Sequence, residues 1–278
     1  MSNEMPVIDF GALGAMMDAS INASLSAMTE KDLYSDCKAS PTAFENWFGT
    51  VEALGIRSPA SIVIECPKSF SMEILDNRPL SEESRLMLAR VSAAVQSMAD
   101  KTGFPVFVKN GFTSNKQEWK NSCCFTSADS VEVLDKLTSM ALFLCNSPLS
   151  YAPSIIVREM IKTDAQFYAF DGHMPITQEF RLFARDGKAV AYQPYWSLEA
   201  FDDKTLKPTD WQERLAAMKH ITSDDLKQLA DHAAAVSGNL GGYWSVDFLK
   251  DQEGRWWLID MAEGELSYVN TADYQTLD

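Results

Sequence analysis

Histidine is nearly absent from this chain: among 278 residues there are only His173, His220 and His232, scattered without ligand spacing. A histidine-centred metal site and a Ser-His-Asp arrangement are therefore not expected, because both need such side chains to converge on one point. The five cysteines, at 37, 66, 123, 124 and 145, are odd in number and lack paired CxxC spacing. That excludes a zinc framework and a disulfide scaffold and leaves reduced, mostly buried thiols. Cys123 and Cys124 are adjacent, so a strand would point them to opposite faces, where a bridge is strained. No run approaches the ~20 consecutive apolar residues of a membrane span. Basic residues are outnumbered, 24 Lys and Arg against 39 Asp and Glu, for a formal charge of −15. Such a surface repels nucleic acid and anionic membrane, and neither is an expected partner. Glu4, Asp9 and Asp18 stand where a secretion signal places basic and then apolar residues, so the expected setting is cytoplasmic.

What remains is a globular chain with 46% hydrophobic and 11% aromatic residues, ample for buried cores. Its length suggests about two structural units, and its texture changes near Gly103. Before that point, the residues predict a helix over 41–54, a short strand over Ser61–Cys66 ending at Pro67, and a helix over 81–101. The last has Ser81 as N-cap, acidic residues in its first turn and Gly103 past its end. After it come a strand over 104–109, a polar loop over 110–122 and a helix over 128–145. Strands over 155–161, 178–185 and 188–193 follow, the last two joined at Asp186-Gly187, a hairpin signal. Helices are expected over 209–220 and 223–236, with Gly238–Gly242 breaking the second. Two apolar strands, Tyr243–Leu249 and Arg255–Met261, close the pattern around Glu253-Gly254.

Three places break the hydrophobic rule. Lys109 ends an apolar strand, and Lys116 and Lys120 follow in a loop with Ser114, Asn115 and Trp119, against the acidic background of the chain. A positioned lysine beside an amide-rich loop suits a polyphosphate; the alternative is a solvated loop with a snorkelling Lys109. Next, Asp247 and Asp260 sit inside strands too apolar to face water, so each needs a cationic partner or a metal. A two-residue turn at Glu253-Gly254 makes them direct cross-strand partners, and only an odd-length turn separates them. Paired carboxylates with Glu263 nearby suit magnesium, whereas Arg181 or Arg255 can instead neutralise them in a structural salt bridge. Finally, Glu179 and Arg181 share one face of a strand whose other face is apolar. Arg181 is either a planar donor to phosphate or carboxylate oxygens or the partner of Glu179. The segment Ile155–Ile161 carries Arg158 and Glu159 in an apolar run. It reads either as an extended backbone beside an adenine edge or as an edge strand with both charges exposed.

In chain order, PVFVKNGFTSNKQEWK, VREMI, QEFRLF and WSVDFLKDQEGRWWLIDMAEGE resemble an ATP-grasp enzyme over roughly residues 104–265. They are most similar to a divergent, phage-rich clade that includes the eukaryotic cell-division-cycle protein assisting translation-factor assembly. The resemblance implies an α+β fold: two α+β subdomains, 104–160 and 161–278, gripping ATP between antiparallel sheets, preceded by a smaller α/β region over 1–103. It implies that Lys109 holds the α- and β-phosphates, that the loop with Ser114, Lys116 and Lys120 closes over the nucleotide, and that Glu159, Met160 and Ile161 form the hinge around adenine. Arg181 then faces the γ-phosphate or an acylphosphate, and Asp247 and Asp260 bind Mg2+. Where the superfamily usually has an asparagine two residues after its last acidic ligand, this chain has Ala262, followed by Glu263. The implied activity is ADP-forming ligation of a carboxylate to an amine of a small molecule, peptide or protein. The alternatives are an ATP-binding assembly factor without turnover and a kinase-like phosphotransferase.

Overall fold

The computed structural model describes residues 30–143, 152–201 and 205–277. The helical stripe after Ser81 forms as expected, over Glu82–Thr102. The Ser81 hydroxyl accepts from the Ser84 amide at 3.2 Å, and Gly103 ends the helix at φ 84°. In chain order, the helices are Glu30–Ala39 (α1), Phe44–Ala53 (α2), Lys68–Leu75 (α3), this one (α4), Ser130–Phe143 (α5), Trp211–Met218 (α6) and Ser223–Leu240 (α7). The expected end of α5 at residues 144–145, including Cys145, lies outside the described residues. Cys37, Cys66 and Cys123 are buried, and burial pushes the Cys66 and Cys123 thiols up to about 12.

The first sheet is antiparallel and four-stranded, in the order Ser61–Glu65 (β1), Ser154–Glu159 (β4), Val106–Asn110 (β2) and Cys124–Phe125 (β3). One face, with Val106, Val108, Ile155 and Val157, packs on α3, α4 and α5. Two expectations are corrected here. Segment 154–159 is an interior strand, paired on both edges, so Arg158 is buried instead of exposed. Moreover, β1 pairs with β4 from Ser61↔Arg158 to Glu65↔Ser154, and α4 shares a core with β2 and β4. A boundary at residue 103 would split one sheet and its core.

A small hairpin of Phe167–Ala169 (β5) and Met174–Ile176 (β6) leads to the second sheet. It is antiparallel, in the order Trp256–Glu263 (β10), Tyr243–Lys250 (β9), Glu179–Arg185 (β7), Lys188–Pro194 (β8) and Gln275–Thr276 (β11). Alternation puts Phe180, Leu182, Val246 and Phe248 on the face covered by α7 and α2. The aromatic face of α2 also meets Ile156 of the first sheet, so this helix joins the two sheets. The expected break of α7 at Gly238 does not occur. With no Cβ, Gly238 lets Gly187 of the β7–β8 turn close in, its Cα only 3.2 Å from where a Cβ would stand, and Gly187 N–H donates to Ser237 Oγ at 3.1 Å.

The β9–β10 register decides where the acidic residues go. The turn has five residues, 251–255, gathered on the buried Asp251 carboxylate, which accepts from the Glu253 and Arg255 amides, Arg255 Nε and Trp257 Nε1 at 2.7–3.0 Å. This odd-length turn pairs Trp256 with Lys250 and Leu258 with Phe248, a register that would send Asp260 to the apolar face. A bulge at Ile259 shifts the register by one, and Asp260 then pairs directly with Asp247. Deleting Ile259 should turn Asp260 toward the apolar core and cost about 3–5 kcal/mol, the penalty of a buried charge without its partner. Ile259→Ala, which keeps the residue count, should cost less than about 1.5 kcal/mol by the size of the lost side chain in a half-buried site. Urea unfolding of the two variants compares them; equal losses would show that the bulge does not set the position of Asp260.

Candidate functional site

The second face of each sheet looks into one cavity of about 570 Å³, within the usual size of a small-ligand site. From the first sheet come Lys109 and Arg158. Their pairings, Lys109↔Ile156 and Phe107↔Arg158, put them on the same face. Both are only 2% exposed. The Phe44 ring of α2 lies under both, 5.8 Å from Lys109 Nζ and 5.2 Å from the Arg158 guanidinium carbon. From the second sheet comes a row across three strands, since Arg181 pairs with Asp247 and Asp247 with Asp260.

The two layers are joined by charge. Lys109 Nζ donates to Asp260 Oδ1 at 2.8 Å. Arg181 grips Asp247 with a fork, Nε to Oδ1 and Nη2 to Oδ2, both 2.8 Å. Arg158 donates from Nη1 to the Ile259 carbonyl at 2.6 Å and from Nε to Ser61 Oγ at 3.1 Å, while its buried Nη2 has no partner among the described residues. Thus the bulge residue that places Asp260 also receives a cation from the opposite sheet. Burial pulls the Lys109 ammonium below its usual range against the pull of Asp260, and brings Arg158 down to about 10, still protonated at neutral pH. For Arg181, burial is outweighed by Asp247, and the guanidinium is held above its ordinary value.

Of the residues expected at the site, Lys109, Ser114, Lys116, Glu159, Met160, Ile161, Arg181, Asp247 and Asp260 all line the cavity. The backbone of Glu159 donates to the Ala60 carbonyl at 3.0 Å and its carboxylate accepts from the Ala60 amide at 2.9 Å, which ties the hinge to the start of β1. Two expectations are corrected. Lys120 is exposed and lies off the cavity wall; its carbonyl instead accepts from Lys136, which pins the end of the 110–122 loop. Glu263 lies three positions after Asp260 in unbroken register, so alternation puts it on the opposite face of the sheet, away from both aspartates. The salt-bridge alternatives also resolve: Arg255 belongs to Asp251, and the partner of Arg181 is Asp247, not Glu179.

Lys116 turns inward from a short 3-10 turn, Lys116–Glu118, and its Nζ lies 3.5 Å from Glu179 Oε2. Burial pushes the Glu179 carboxyl up, opposed by Lys116; for Lys116, burial is overcome by Glu179 and Tyr195, and its ammonium is held above the usual lysine range. Sequence reasoning missed Arg158 as a wall of the site, together with Phe44, Tyr195 and Trp196. Arg158 carried a signal, a charge inside an apolar run, but Phe44 carried none.

An ATP-grasp domain family, the third of its clade, matches residues 97–277, more than half of the chain. The chain belongs to this family, and its α+β architecture is the ATP-grasp fold. Among solved structures it is similar to C-terminally truncated Cdc123 from Schizosaccharomyces pombe, at 15% identity and a TM-score of 0.51, covering 80% of this chain and 83% of that one. It is also similar to Cdc123 from the same yeast, at 17% identity and a TM-score of 0.47 over 82% and 88% of the two chains. D-alanine–D-alanine ligase from Bacillus anthracis, complexed with ATP, matches at 15% identity and a TM-score of 0.41, over 83% and 56% of the two chains. No curated protein matches the chain.

Since Lys109 is buried and its counter-charge lies on the other sheet, Asp260→Asn should destabilise the fold by about 3 kcal/mol. Adding Lys109→Met to that variant should recover most of the loss. A double-mutant cycle in urea checks the coupling; additive losses would mean that the two side chains do not interact.

Proposed function

We propose that the chain is an ATP- and magnesium-dependent carboxylate–amine ligase that works through an acylphosphate, with ADP and phosphate as co-products. The observation that carries this reading is the convergence, in one cavity between two sheets, of Lys109, Arg158 and Arg181 on the Asp247–Asp260 pair. Positioned cations with little acid–base machinery suit phosphoryl transfer, in which charge neutralisation and alignment supply most of the catalysis. Family membership supports the class of ATP-dependent ligases.

The donor set fits magnesium in one form only. Among the described residues no group of three or more His, Cys, Asp or Glu side chains is arranged to hold a metal ion. Asp247 and Asp260 are two neighbouring carboxylates, which suits an ion that takes one or two protein oxygens and completes its shell with water and phosphate. These two residues would hold it, and it would neutralise charge on the nucleotide oxygens. Lys109 and the unpartnered Nη2 of Arg158 supply donors to phosphate from the first sheet. Arg181, fixed by its fork to Asp247, presents its remaining guanidinium N–H groups where charge develops on the transferred group. Met160 and Ile161 of the hinge, with Met174 and Leu249, give the apolar walls that a purine ring needs.

The test is ADP release with paired carboxylates and amines, the amine arm including peptides. Wild-type chain should release ADP only when both substrates are present. Arg181→Lys keeps the charge but loses the planar fork, and should lower turnover about 100-fold while the chain stays folded. Tight ATP binding without substrate-dependent ADP would instead favour an assembly factor.

A further inference from the structure

The loop lysine and its surroundings form a site that the phosphate-facing groups do not use. Tyr195 and Trp196, at the end of β8, stand with ring centroids 5.0 Å apart at 75°, an open corner of two aromatic faces. Glu179 forms its floor: the carboxylate is 4% exposed, its Oε1 accepts from Trp196 Nε1 at 3.1 Å, and its buried Oε2 has no hydrogen-bond partner among the described residues. The corner is held from behind. Trp196 packs against Phe170 and Phe201, and the Tyr195 amide donates to the Glu179 carbonyl at 2.9 Å. Its walls therefore come from the second sheet and its neighbours, whatever the 110–122 loop does.

Two π faces over a buried carboxylate make a receptor for a cation. Here the cation is one of the chain's own: Lys116 Nζ lies 3.9 Å from the Tyr195 ring centroid and 4.7 Å from that of Trp196. The other side of the corner borders the phosphate-facing groups, since the Arg181 guanidinium carbon is 5.0 Å from the same Tyr195 ring. A group seated there is next to the place where Arg181 would hold the transferred phosphoryl group.

We infer that the corner of Tyr195, Trp196 and Glu179 is the subsite for the amine substrate, that it accepts a primary alkylammonium group such as a lysine side chain, and that Lys116 occupies the place of that group. The inference deepens the ligase reading and rests on it for the word substrate. It accounts for a buried carboxylate oxygen left without a hydrogen bond, and it gives the acceptor a chemical class. Aromatic amines and neutral alcohols of similar size do not fit the requirement for a compact, strongly hydrated cation whose water shell is replaced by π faces and one carboxylate.

The experiment titrates n-butylammonium into the full chain without nucleotide, following tryptophan fluorescence, because Trp196 is a wall of the corner. Lys116→Met vacates the corner and should bind n-butylammonium at least about ten-fold more tightly than wild type, since the internal competitor is gone. Adding Glu179→Gln, or separately Trp196→Leu, to Lys116→Met should abolish that gain, with circular dichroism confirming that each variant is folded; n-butanol should not bind. Equal affinity in wild type and Lys116→Met, retention of the gain in both double variants, or equal binding of n-butanol would overturn the proposal. Because no nucleotide is present, failure here and failure of ATP turnover are separate results.

Discussion

A buried ammonium cannot stand without a counter-charge, and in this fold the one for Lys109 lies on the other sheet. Lys109 belongs to β2 and Asp260 to β10, and their 2.8 Å contact is the point at which the two layers are tied electrostatically. Much else follows from this contact. Asp260 has to leave the apolar face that Trp256 and Leu258 occupy, which requires the bulge at Ile259. The carbonyl of that bulge residue in turn accepts from Arg158, so the distortion is held in place by a second cation of the first sheet. The site is thus the means by which the sheets are held face to face, as well as the cavity that remains between them.

The same arrangement explains why so acidic a chain suits a polyanion. A formal charge of −15 describes the whole surface, whereas a single nucleotide meets only Lys109, Arg158 and Arg181, all on the cavity wall. Each aspartate there already has a cationic partner, so the carboxylates are not repelled from one another in the folded chain. An incoming magnesium–phosphate group would exchange partners with them: phosphate oxygens for the cations, metal for the carboxylates. That exchange adds little net charge to the cavity, which limits the desolvation cost of binding.

Much of this was legible in the residues. Charged side chains inside apolar strands, Lys109, Arg181, Asp247 and Asp260, marked the site because a buried charge needs a reason, and all four meet in the cavity. The pairing of the two aspartates was read from an assumed two-residue turn; the actual turn has five, and the bulge restores the pairing, so the expectation held for a different physical reason. Arg158 was visible by the same rule but hidden by reading β4 as an edge, since a single sequence does not show that β1 arrives from nearly a hundred residues earlier to cover it. Helix α3, the two-residue β3 and the joining role of α2 depend on tertiary contacts and left no local signature. The parity of Glu263 was readable by counting along the strand, whereas the outward path of Lys120 was not, because it depends on the turn that carries Lys116 inward.

If the two sheets enclose a magnesium–nucleotide site assembled from both layers, metal and nucleotide must bind together. Isothermal titration of a non-hydrolysable ATP analogue, with and without magnesium, measures this most directly. One site per chain is predicted, with an affinity that rises at least about ten-fold when magnesium is present, as expected where metal and phosphate bind as a unit. Binding that is absent, or unchanged by magnesium, would contradict it.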